Sequence, residues 1–192
     1  MMTCSIIEKV SGLWNDSDGT ALTFFYCDGN GKEKKESRYI LRSIFRQLLE
    51  PFCADSKHPL RARLEQFYRA NKYRSLRASE LVAWIKSISQ TFKMVSIIID
   101  GLDECSMPSE IASLLVKCSA PNIRILATSR PAGEICDEFS KLPQMELDYA
   151  LVQADIDTYI DSHLTHDRGL QKIKSSFKTE IKEKLLKESQ GM

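Results

Sequence analysis

The sequence predicts an α/β fold built on an open parallel sheet. The first observation is a set of three apolar segments, "ALTFFYC" (21–27), "MVSIIID" (94–100) and "NIRILATS" (122–129). They are rich in β-branched and aromatic residues and do not alternate with polar ones, the pattern of strands covered on both faces. The second is that the segments between them carry helical periodicity. Strands alternating with helices imply βαβ units and a parallel sheet.

Each element has its own justification. "MMTCSIIEKV" is an amphipathic helix at the amino end. After the first strand, "ESRYILRSIFRQLLEPF" places Ile40, Leu41, Ile44, Phe45, Leu48 and Leu49 on one helical face. Ser37 is its expected N-cap and Pro51 its expected stop. "SELVAWIKSISQTF" gathers Leu81, Val82, Ile85, Ile88 and Phe92, with Ser79 as expected N-cap and Trp84 as a packing residue, like Trp14. "PSEIASLLVKC" opens with a proline suited to a first helical turn. "QMELDY" (144–149) alternates and is a fourth candidate strand. "QADIDTYIDSHL" and "KTEIKEKLLKESQG" predict two further helices, the last ended by Gly191.

The 192 residues suffice for one sizeable domain, and 43% hydrophobic with 28% charged residues is a globular mixture. A formal net charge of +1 gives no electrostatic pull toward nucleic acid or membrane. The arginines between Arg61 and Arg77 are dispersed over predicted helices and do not form a nucleic-acid patch. No apolar run approaches the ~20 residues that span a bilayer, and the amino end lacks the apolar core of a secretory signal. Six scattered cysteines without a CxxC pair argue against structural zinc and a dense disulfide framework. Reduced thiols in an intracellular, cytoplasmic protein are expected.

Two strings carry the chemistry. In "SIIIDGLDEC" (96–105) a buried strand runs into Asp100, with Asp103 and Glu104 one turn further on. In an open α/β sheet the carboxyl ends of the strands are where ligands bind. A strand-end aspartate there suits Mg²⁺ held through water, and a nearby acid suits polarising water for attack on a γ-phosphate. The competing reading is a polar turn capping the next helix. In "RILATSRP" a second strand ends in Thr128, Ser129 and Arg130. If the two strands are neighbours, Arg130 reaches the same edge, where a guanidinium fork matches phosphate oxygens. The competing reading is a surface arginine beside a helix start at Pro131. His163 and His166 have helical spacing but polar flanks and no third ligand in sequence, which favours a solvent-facing helix.

A phosphate-binding loop would read GxxxxGK[ST]. "YCDGNGKEKKES" contains Gly31-Lys32 but puts Glu33 where a hydroxyl must meet Mg²⁺ and Tyr26 where the first glycine belongs. It is expected to be a solvated charged loop.

"SIIIDGLDEC" followed by "RILATSRP" resembles the Walker B and sensor regions of NACHT-type STAND P-loop NTPases, closest to the nephrocystin-like N-terminal domain of fungal proteins. "TFFYCDGNGKEKKESRYILRSIFRQLL" is similar to that family's second strand and following helix, "ADIDTYIDSHL" to its post-sensor helix, and "KESQGM" to the start of a small-helical segment. The resemblance implies a P-loop NTPase-like three-layer α/β/α core over 1–150 and the start of the following helical segment over 151–192. It assigns Mg²⁺ to Asp100 through water, water activation to Asp103 and Glu104, and nucleotide sensing to Arg130, Ser129 and Thr128. It implies a slow ATP or GTP switch that oligomerises, NLR-like, with roles in nonself recognition or regulated cell death.

"MMTCSIIEKV" resembles the helix that directly follows the phosphate loop. The Walker A strand is therefore expected to be missing, the sheet to have an unpaired inner edge, and the chain alone to bind nucleotide poorly and be inactive. The expectation is a STAND NTPase fragment with self-association or full-length homologues as partners. The alternative is a non-catalytic module pairing with full-length relatives.

Overall fold

A computed structural model describes residues 2–13, 19–27, 36–53, 61–62, 64–66, 69, 74–146 and 149–188. Gly31-Lys32, Glu33, Trp14 and Gly191 lie outside the described residues.

The elements alternate as the sequence implies: α1 (Met2–Leu13), β1 (Thr20–Tyr26), α2 (Ser37–Cys53), α3 (Ala78–Ser89), β2 (Met94–Asp100), α4 (Pro108–Cys118), β3 (Ile123–Ala127) and α5 (Gly133–Glu138), followed by α6 (Tyr149–His166) and α7 (Ser175–Glu188). A 3-10 turn at Leu102–Glu104 follows β2. The three strands form a parallel sheet in the order β1-β2-β3, with Tyr26 opposite Asp100 and Ile99 opposite Ala127. The fold is mixed α/β, with helices flanking the sheet.

Period-2 geometry sorts the strand residues onto two faces. Val95, Ile97 and Ile99 of β2 share one face with Phe25 and Ile123. The stripes predicted for α2 and α3 meet that face: Ile40, Ile44, Leu48, Leu81, Ile85 and Ile88 are completely buried there, joined by Ile111 and Leu115 of α4. Burying each such side chain stabilises by roughly 1.5–3 kcal/mol, which makes this cluster the main driving force. Trp84 packs edge-on to Phe45 with ring centroids 6.2 Å apart.

The opposite face departs from expectation. α1 lies against β1 and β2 there. Ile98 is buried at 2% exposure, yet its same-face neighbours Phe24 and Leu126 stand at 38% and 40%. The run of apolar residues predicted cover on both faces, but α1 leaves Phe24 and Leu126 of the outer strands half open. The outer edge of β1 is closed by a side chain: Gln47 Nε2 donates to the Phe24 carbonyl at 2.9 Å, and Gln47 Oε1 accepts from the Phe24 N–H at 3.0 Å. That satisfies edge groups which would otherwise recruit another strand.

Several boundaries differ from those read in the sequence. The Glu36 carbonyl accepts from the Tyr39 N–H at 2.9 Å, so Glu36 caps α2 and Ser37 is its first residue. Pro51 lies inside α2, which runs to Cys53. α3 is capped at Arg77, not Ser79, with Glu80 Oε2 accepting the Arg77 N–H at 2.8 Å. Among the described residues of "QMELDY" no strand forms: 144–146 are irregular and Tyr149 begins α6, while 147–148 lie outside the described residues. Period 2 over so few residues does not determine a strand without a partner to pair with.

The chain divides into two compact units, Met1–Leu142 and Pro143–Met192. In the second, α6 and α7 are tied by Lys182, whose Nζ reaches Asp157 at 3.0 Å and Asp161 at 2.7 Å. Lys178 Nζ donates to the Leu164 carbonyl at 2.6 Å, satisfying one of the acceptors left at the α6 end. His163 and His166 each turn Nδ1 toward the carbonyl four residues back, at 3.1 Å from Tyr159 and 2.9 Å from Ser162.

Candidate functional site at the carboxyl edge of the sheet

β2 delivers Asp100 to the carboxyl edge because it is the last residue of the strand. Gly101 then turns the chain with φ 69° and ψ 45°, the left-handed region. Glycine adopts this without a Cβ penalty. A Cβ here would also lie 3.4 Å from the Cys27 carbonyl. The turn drives Leu102 into the core at 0% exposure, which anchors the acidic pair that follows.

β3 is the direct neighbour of β2, so Thr128 and Arg130 arrive at the same edge. Thr128 is held by its backbone: its N–H donates to the Ile99 carbonyl and its carbonyl accepts from the Leu102 N–H, both at 2.9 Å. Its hydroxyl accepts from the Gly101 N–H at 3.1 Å and donates to Asp100 Oδ1 at 2.6 Å. A second hydroxyl, from Thr3 on α1, donates to the same Oδ1. Thr3 is 3% exposed. The sequence reading missed it; a threonine near the start of an amphipathic helix gives no signal that its hydroxyl meets a strand end far along the chain.

Asp103 and Arg130 form the second element of the site. The Arg130 backbone N–H donates to Oδ1 at 3.0 Å and its Nε to Oδ2 at 2.6 Å. Burial pushes the Asp103 carboxyl upward, but these hydrogen bonds outweigh it and hold the group below the usual carboxylate range. Glu104 is exposed beside them. Ser129 is exposed and donates to the Arg130 carbonyl at 2.6 Å, so its hydroxyl serves its own loop. The acids do not cap α4: the cap position is Met107, without a side-chain bond.

Asp100, Asp103, Glu104, Thr128, Ser129 and Arg130 thus come from two adjacent strand ends. A family model, nephrocystin 3, N-terminal, matches residues 1–130. The chain belongs to the nephrocystin 3 N-terminal family. The matched stretch of this nephrocystin-like domain runs from α1 through Arg130 and takes in every residue just described. No curated protein and no solved structure matches it. Among the described residues of this domain, no group of three or more His, Cys, Asp or Glu side chains is placed to hold a metal ion, and no helix is long and apolar enough to cross a membrane.

Proposed function

We propose that this nephrocystin-like domain is the acid-bearing part of a NACHT-type STAND switch for ATP or GTP. The observation that carries the reading is the convergence of Asp100, Thr128, Asp103 and Arg130 at the carboxyl ends of β2 and β3. That edge is where open α/β sheets bind ligands.

The residues fit Mg²⁺. Asp100 with the Thr3 and Thr128 hydroxyls is a hard oxygen set. Mg²⁺ keeps several waters and takes only one or two carboxylates beside substrate phosphates. When bound, Mg²⁺ neutralises charge on phosphate oxygens. The chain supplies orientation: Thr128 fixes the Asp100 carboxylate, and Asp103 and Glu104 stand one turn beyond it to direct a water. Arg130 reads the terminal phosphate after leaving Asp103, with Thr128 and Ser129 lining its approach. The 192 residues contain no GxxxxGK[ST] string, the pattern whose backbone cradles phosphates, and on this reading the chain alone binds nucleotide weakly.

Amide NMR of the chain titrated with Mg²⁺-ATP and Mg²⁺-GTP tests this. Shifts at Asp100, Asp103, Thr128 and Arg130 that do not saturate at micromolar nucleotide are expected. Micromolar saturation overturns the weak-binding claim, and millimolar nucleotide that moves none of these amides overturns the site.

A second reading is a non-catalytic module that pairs with full-length relatives. Among the described residues β3 pairs with β2 alone, and its Leu126 is 40% exposed. Co-elution with an intact homologue at micromolar concentration supports it; separate elution counts against it.

A further inference from the structure

Cys27 and Cys105 lie 78 residues apart in the chain, yet their Sγ atoms are 2.8 Å apart. Cys27 directly follows β1, and its N–H donates to the Asp100 carbonyl at 2.8 Å, which fixes its backbone against the end of β2. Cys105 closes the 3-10 turn, its N–H donating to the Leu102 carbonyl at 3.2 Å. Both backbones are therefore held by regular structure, and the sulfurs are less than one ångström further apart than a bonded pair at ~2.05 Å. Among the other described cysteines, Cys118 is buried in the α4 face of the core, and Cys4 and Cys136 are exposed thiols.

We propose that Cys27 and Cys105 are a reversible oxidation site, closing to a disulfide that ties the end of β1 to the acidic turn after β2. The oxidant is a small-molecule disulfide. The half-buried Cys27 reacts first in order of access, because Cys105 is only 7% exposed. The Cys27 thiolate attacks one sulfur of the small disulfide, forming a mixed disulfide and releasing one thiolate that takes up a proton. The Cys105 thiolate then attacks the Cys27 sulfur and expels the second small thiol. Two protein thiols are oxidised, one small disulfide is reduced to two thiols, and both protons are carried by those products.

The contact with Cys105, burial, and the carboxylates of Asp100 and Glu104 hold the Cys27 thiol well above its ordinary value.

The intact chain is incubated in oxidised glutathione, alkylated and digested with trypsin. Cleavage after Lys9, Lys32, Lys93 and Lys117 isolates Cys27 in peptide 10–32 and Cys105 in peptide 94–117, each as its only cysteine. The expected result is one dominant cross-linked species joining these two peptides, at least tenfold over any other cysteine pair, abolished by dithiothreitol and by prior unfolding in urea. Its formation should also raise the thermal unfolding midpoint of the chain. Recovery of Cys27 and Cys105 as alkylated thiols or separate glutathione adducts overturns the proposal, as does a cross-link that lowers the midpoint.

Discussion

Arg130 grips Asp103 at two points, one from its backbone and one from its side chain. The Nε–Oδ2 distance is 2.6 Å, and the Asp103 side chain is 13% exposed against 65% for Arg130. The acid is thus the buried partner and the guanidinium the solvated one. An incoming phosphate has to compete with Asp103 for that guanidinium.

The asymmetry makes the two truncations unequal. Arg130→Ala keeps the backbone N–H bond to Oδ1, whereas Asp103→Ala removes both bonds and leaves the Arg130 N–H without its acceptor. Urea unfolding at pH 7 should therefore show a larger loss of midpoint for Asp103→Ala than for Arg130→Ala.

The same pair gives a pH dependence. The Asp103 carboxyl is held low in the folded chain, so the unfolded chain binds the proton more readily. Its contribution is present above the unfolded value of about 3.9 and is lost as pH falls through the folded value. The gap in urea midpoint between the parent chain and Asp103→Asn should be constant from pH 7 to pH 5 and shrink below pH 4.

Thr128→Val keeps the shape of the side chain but removes a hydroxyl bonded on both sides. The Gly101 N–H loses its acceptor, at a cost of about 1–3 kcal/mol. Chemical denaturation should show that loss, and Gly101 amide exchange should quicken.

Gly101→Ala forces an alanine into φ 69° with its Cβ 3.4 Å from the Cys27 carbonyl. A left-handed non-glycine residue costs about 1–2 kcal/mol. Denaturant unfolding should report a loss of that size, and the amide shifts of Asp103 and Glu104 should move with the turn.

Leu102→Ala empties a fully buried position beneath the acidic turn. Large-to-small changes of this kind cost about 2–5 kcal/mol. The urea midpoint should fall accordingly, with the slope of the transition unchanged.

The strands were legible because their burial is written into composition: Met94–Asp100 matches the predicted 94–100, and β1 and β3 fall within one or two residues of theirs. The helical stripes were legible for the same reason, since Ile40, Ile44, Leu81 and Ile85 recur at the spacing of one helix face. Caps were less so. Glu36 and Arg77 take cap positions through backbone groups, and such a role leaves no mark on residue type. Pro51 failed as a stop signal because α2 carries it within its last turn.

Sequence by itself determined the strand–helix alternation and the acidic string after β2, because apolar period and a glycine between acids are local properties. It also put Arg130 at a strand end. Tertiary structure decided which of these groups meet. Thr3 reaches Asp100 across 97 residues, Cys105 reaches Cys27 across 78, and Arg130 reaches Asp103 across 27. Each contact depends on strand order and on the side of the sheet that α1 takes. Those are set by how the buried faces pack together, and no short stretch of sequence encodes them.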